Sequence, residues 1–188
     1  LSYEDFLGRF AGRDERFAMG EMAKELGIPY DEDLFQEWSN RKAEAYAQFV
    51  SEHAEPMPGA VDFVTTVARV MPVGLATGSR RSDVNAALRV LAGGRLEGVF
   101  QTIVTSEDVP NPKPHPATYL KAVENLGFQP SECVAFEDSP NGIKSAKEAG
   151  LRVIGLSAMH GPEKLGEADR VVPDLRGASV ETLFSWLD

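Results

Sequence analysis

Over the first quarter of the chain, apolar residues recur at helical spacing and nowhere alternate. Residues 15–26 form one such stretch, closed by Gly27. Residues 31–52 form a second, unbroken one, with Leu34, Trp38, Ala45, Phe49 and Val50 near the helical period. At Glu55-Pro56-Met57-Pro58-Gly59 two prolines and a glycine punctuate the sequence, and its character changes after them. A helical domain is therefore expected over 1–55 and a second domain over 56–188. In the second domain short apolar runs alternate with helical stretches. Pro72-Val73-Gly74-Leu75-Ala76 precedes a helix over 82–91, and Phe100-Gln101-Thr102-Ile103-Val104 precedes one over 116–126. Cys133-Val134-Ala135-Phe136 precedes a helix over 142–149, after which come Arg152-Val153-Ile154-Gly155-Leu156 and Arg170-Val171-Val172 with a last helix. Near-continuous apolar strands alternating with helices predict an α/β, doubly wound, Rossmann-like parallel sheet covered on both faces.

Composition narrows the choice of partner. The 188 residues, 43% hydrophobic, suffice for one core with a small appended domain. Twenty-nine acidic residues against nineteen basic give a net charge of -10, which repels nucleic acid and anionic membrane surfaces. A small anionic metabolite remains compatible, because a few cations can reverse the field inside one cleft. The single cysteine, Cys133, lies in an apolar run, so no disulfide can close within the chain. Core packing for Cys133 and a reducing, cytoplasmic setting are expected, for a monomer or weak homo-oligomer. No run approaches the roughly 18 apolar residues of a membrane span. The opening Leu1-Ser2-Tyr3-Glu4-Asp5 carries neither an initiator Met nor a signal-like apolar core.

In doubly wound sheets the ligand crevice lies beyond the carboxyl ends of the strands, and three such positions carry distinctive chemistry. The first is Thr77-Gly78-Ser79-Arg80-Arg81. Its hydroxyls and backbone N–H groups at a helix start suit phosphate oxygens, or else Ser79 or Ser82 merely caps the helix. The second is Thr105-Ser106-Glu107-Asp108-Val109-Pro110-Asn111-Pro112-Lys113-Pro114-His115-Pro116, with one lysine among four prolines. Rigid turns lower the entropy lost in holding an ammonium at one place, although a solvated loop lysine is the plain alternative. His115 invites a general-base role but is read as part of the helix start. The third is Glu137-Asp138-Ser139-Pro140-Asn141-Gly142, two adjacent carboxylates ending a buried strand. Burying them requires a compensating cation, and hard oxygens without nearby His or Cys favour magnesium over zinc; Asp138 could also serve as a helix cap.

Together these segments resemble the later motifs of the haloacid dehalogenase superfamily: a strand-end Thr or Ser, a lysine, and an acidic pair ending a strand. The early helical cap and the wording Glu137-Asp138-Ser139-x-x-Gly142 resemble the beta-phosphoglucomutase and sugar-phosphate phosphatase branch. The resemblance implies that Thr77, with Gly78 and Ser79, holds a phosphoryl group and that Lys113 neutralises it and the nucleophile. It likewise implies that Asp138 with Glu137 organises magnesium. In the cap, Gly12-Arg13 resembles the substrate-phosphate site, and Arg41-Lys42 with Tyr46 resembles the helix that faces the sugar, so Arg13 and Lys42 are the substrate candidates there. Without the resemblance, Arg13, Arg41 and Lys42 read as a solvated helix face. Ala43 stands where the mutases carry an asparagine, which favours a phosphatase over a mutase.

The family's first strand, central in its sheet and ending in a nucleophilic Asp-x-Asp, has no counterpart here. Asp31-Glu32-Asp33 has that spacing but follows Pro29-Tyr30 and precedes a helix, so it reads as an N-terminal cap. Losing about five buried strand residues at roughly 1.5–3 kcal/mol each would cost about as much as the roughly 5–15 kcal/mol stability of a domain. The nucleophile is therefore expected upstream of Leu1, and the 188 residues alone are expected to be inactive. The expected activity is magnesium-dependent hydrolysis of a small phosphorylated metabolite through an aspartyl-phosphate. A hexose-phosphate mutase is the runner-up, and a catalytically inactive phosphate-binding module is the reading from another class.

Overall fold

Asp31 begins the longest helix: its carboxylate accepts the Leu34 N–H at 2.9 Å, satisfying one of the amides a helix start leaves unpaired. In the computed structural model, which describes residue 10, residues 15–158 and residues 161–187, two helices take up most of residues 15–53. They are α1 (Glu15–Leu26) and α2 (Glu32–His53). Met19 and Ala23 of α1 and Phe35, Ser39 and Val50 of α2 are buried. Arg16 clamps the pair, bonding Glu32 at 2.8 Å with its guanidinium 3.7 Å from the Phe35 ring centre.

After the punctuation at 55–59 comes a helix that sequence analysis does not anticipate, α3 (Ala60–Val67), whose Val61, Phe63 and Val67 are buried. Eight residues give too few turns for the apolar period to stand out. Gly59 precedes it with φ of 82°, and a side chain there would strike the backbone of Leu175. The Leu175 N–H donates to Pro58 O at 3.1 Å, so the two segments lie backbone to backbone.

The strands follow in the expected order and all pair in parallel. β1 (Gly74–Ala76) pairs with β2 (Thr102–Val104), and β3 (Val134–Glu137) pairs with β4 (Arg152–Leu156), which pairs with β5 (Arg170–Val172). Helix α4 (Arg81–Val90) follows β1, α5 (Ala117–Leu126) follows β2, α6 (Pro140–Glu148) follows β3, and α7 (Val180–Leu187) ends the chain. Among the described residues, the facing edges of β1 and β3 carry no ladder partner.

Alternation along the strands sorts the core into two faces. Ala135 and Val153 join Tyr119, Val123, Ile143 and Ala146 of α5 and α6 on one side. Ile154, Leu156 and Val172 join Phe63, Val67 and Leu183 of α3 and α7 on the other, where Phe63 and Phe136 meet edge to face at 5.4 Å. The expected layering of helices on both sides of a parallel sheet is thus present. No described helix is long and apolar enough to cross a membrane.

Candidate active site

The site is assembled at the carboxyl ends of β1 and β3. Beyond β1, the Thr77 N–H donates to Val104 O at 2.9 Å, prolonging the ladder by one residue. The Thr77 hydroxyl accepts the Ser79 N–H at 3.1 Å, fixing the turn. Neither Ser79 nor Ser82 caps α4. Arg80 holds that position without a side-chain bond, and the Arg81 N–H donates instead to Glu107 Oε2 at 2.7 Å.

Beyond β2, Thr105 donates both its amide and its hydroxyl hydrogen bond to one acceptor, Asp108 Oδ2, at 2.7 and 2.8 Å. This compact turn leads into the proline-rich loop that delivers Lys113. The lysine is buried, only 6% exposed, and its ammonium has three partners. It donates to Ala76 O at 3.1 Å and to the Tyr119 hydroxyl at 3.2 Å, and it forms an ion pair with Glu137. Its nitrogen also lies 4.4 Å from the centre of the Tyr119 ring. Tyr119 donates to Glu137 Oε1 at 2.5 Å. Burial, and then the negative charge of Glu137, push the Tyr119 hydroxyl well above its ordinary value, so the proton stays in that bond. A buried lysine thus ties the end of β1 to the end of β3 across the open edges.

Both oxygens of Glu137 have protein donors. Oε1 serves Lys113 and Tyr119, while Oε2 accepts the Asp138 N–H at 3.2 Å and the Ser139 hydroxyl at 3.3 Å. Ser139 in turn caps α6, accepting the Gly142 N–H at 3.1 Å. Gly142 is required by close approach: a methyl group there would run into the Glu137 carboxylate.

These groups open on one cavity of about 550 Å³. Thr77, Gly78, Ser79, Lys113, Glu137 and Asp138 line its sheet side, and Glu15, Met19, Met22 and Lys42 line its helical side. The phosphate-binding and acidic candidates from three distant segments therefore share a wall, and Lys42 faces them. Arg13 and Gly12 lie outside the described residues. Arg41 points elsewhere, largely exposed and 3.6 Å from Glu37, and His115 Nδ1 accepts the Ala117 N–H at 3.2 Å at the start of α5.

For a divalent cation the donor set is all oxygen, which suits a hard ion such as magnesium. Among the described residues no group of three or more His, Cys, Asp or Glu is placed to hold a metal. A magnesium would find its protein oxygens in the Asp138 and Glu137 carboxylates, with water and substrate oxygens filling the rest of its shell. Glu137 is also paired with Lys113, and both it and Asp138 line the cavity. Sequence reasoning missed Tyr119, Glu15, Ser39 and Asp83, none of which sits in a motif; the fold alone brings them to the site and its surroundings.

Comparison with known proteins agrees with this layout. The haloacid dehalogenase-like hydrolase family matches residues 3–150. The chain is 31% identical over 185 residues to validoxylamine A 7'-phosphate phosphatase of Streptomyces hygroscopicus subsp. limoneus, covering 85% of each chain. It is 29% identical over 187 residues to the protein CbbY of Rhodobacter capsulatus, covering 97% of this chain and 82% of the relative. Its fold resembles that of beta-phosphoglucomutase from Clostridium difficile, with a TM-score of 0.80 and 21% identity over 94% of this chain and 78% of that one. The chain belongs to the haloacid dehalogenase-like hydrolase family, among relatives of the CbbY and beta-phosphoglucomutase branch.

Proposed function

We propose that the chain forms the greater part of a magnesium-dependent phosphatase of small phosphorylated metabolites, sugar phosphates in particular. In this reading the phosphoryl group passes through an aspartyl-phosphate whose aspartate lies upstream of Leu1. The observation that carries it is the Lys113 ammonium, buried between Ala76 O at 3.1 Å, next to Thr77, and Glu137, next to Asp138. One positive charge thereby sits where a strand-end hydroxyl and a strand-end acid converge. The open facing edges of β1 and β3 support the position of the nucleophile, since one parallel strand between them would end beside these groups. The relative named as a phosphatase supports hydrolysis.

The Thr77 hydroxyl and the amides of Gly78 and Ser79 would orient the phosphoryl oxygens, and Lys113 would offset their charge. Lys113 is pre-positioned by Glu137 and Tyr119, so little reorganisation is needed as charge develops. Asp138 would hold the magnesium, which when bound supplies further neutralisation of the phosphoryl oxygens. The helices α1 and α2 would act as the cap, excluding bulk water and offering Lys42 to the rest of the substrate.

The test is hydrolysis of an aryl phosphate by the protein with its natural start. Asp138→Asn should lower magnesium-dependent kcat by about a hundredfold or more, and unchanged turnover would refute the metal assignment. Product analysis with glucose phosphates separates hydrolysis from phosphoryl transfer to a second sugar. Substrate affinity without turnover in the same protein would instead indicate a binding module.

A further inference from the structure

Behind the cap lysine stands an acid that no motif contains. Asp83, in the first turn of α4, is only 3% exposed, and its carboxylate forms an ion pair with Lys42 of α2. It also accepts the Ser82 hydroxyl at 3.4 Å. Lys42 is also held by Glu15 of α1 at 3.2 Å, and Glu15 accepts the Ser39 hydroxyl at 2.6 Å. Arg80, next to Asp83's helix start, donates to that same Ser39 and to Glu107. The contact between the helical pair and the sheet domain is thus polar and centred on Lys42. Lys42 lines the cavity, while Asp83 lies behind it, outside the lining.

We propose that Asp83 is a positioning residue, whose buried carboxylate aims the Lys42 ammonium at the substrate and couples substrate contact to docking of the cap. This rests on the function proposed above, for it concerns the part of the substrate distant from the phosphoryl group. A lysine has a long flexible stem and loses much rotamer freedom when it must meet a ligand at one point. A buried acid that needs a counter-ion removes that freedom beforehand. Although burial works against its charge, the hydrogen bond it donates to Asp83 and the charge of Glu15 hold Lys42 above its ordinary value, so it stays cationic. The recognised group is then an anionic or hydroxyl-rich end of a sugar phosphate, engaged through an ammonium already in place.

Two measurements on the protein with its natural start decide the matter. Acetic anhydride labelling of Lys42, followed by peptide mass spectrometry, should be slow in the wild type and about tenfold faster in Asp83→Asn, with Asp83→Glu in between. For hydrolysis of hexose and pentose phosphates, Asp83→Asn should raise KM about tenfold while kcat changes by less than about threefold. The double variant with Lys42→Met should be no worse than Lys42→Met alone, since both changes remove one interaction. Equal labelling in the wild type and Asp83→Asn, or additive KM effects, would overturn the proposal. If the protein hydrolyses none of these substrates, the proposed function fails while the labelling still decides the Asp83–Lys42 link. Should Asp83→Asn not fold, the intermediate labelling of Asp83→Glu decides the same question.

Discussion

At position 142 the preference of the helix and the requirement of the site oppose each other. Alanine would favour the interior of α6 by roughly 1 kcal/mol over glycine. Its methyl group would displace the Glu137 carboxylate from Lys113 and Tyr119, and breaking a buried ion pair costs about 3–5 kcal/mol. The second effect wins, so Gly142→Ala should destabilise the protein by about 2–4 kcal/mol, measured by urea unfolding; a stabilised variant would show that Glu137 has other room. Lys113 was legible in the sequence because four prolines single it out. Tyr119 was not, since a tyrosine in an apolar helix reads as core, and only the fold shows its hydroxyl meeting Glu137.

Among the elements, the runs that became β3, β4 and α6 were read close to their observed limits, because burial on both faces leaves a strong apolar signal. The runs at 72–76 and 100–104 share one ladder of only three residue pairs, each strand paired along one edge among the described residues. Asp169 ties β4 to α6, accepting the Val153 N–H at 2.7 Å and bonding Lys147 of α6 at 2.6 Å. Burial raises its carboxyl, but the Lys147 and Val153 bonds outweigh that and hold it below the ordinary 3.8. A depressed acid stabilises fully above its unfolded value and loses that contribution as pH falls through the folded one. Near neutral pH, Asp169→Asn should therefore melt below the wild type, by about 2 °C for a partly exposed pair worth under about 1 kcal/mol. That gap should close as pH falls below 3.8. A gap that persisted in acid would assign the effect to something other than ionised Asp169.

At the scale of the whole molecule, β4 is, among the described residues, the strand paired on both edges, while β1, β2, β3 and β5 are each paired on one. Hydrogen exchange on the protein with its natural start should accordingly find the β4 amides slowest and those of β2, paired along one edge among the described residues, faster by about tenfold or more. Equal protection of β2 and β4 would mean that the strands open as one unit. The sequence by itself determined the order of helices and strands and the three chemical segments at strand ends, because periodicity, turn residues and strand termini are local properties. Tertiary structure decided which of those groups meet. Two of the three Lys113 partners lie 37 and 24 residues away in the chain, and Lys42 meets Asp83 across 41. Such partnerships depend on how burial forces distant charges and hydrogen-bonding groups to satisfy one another, which no local pattern records.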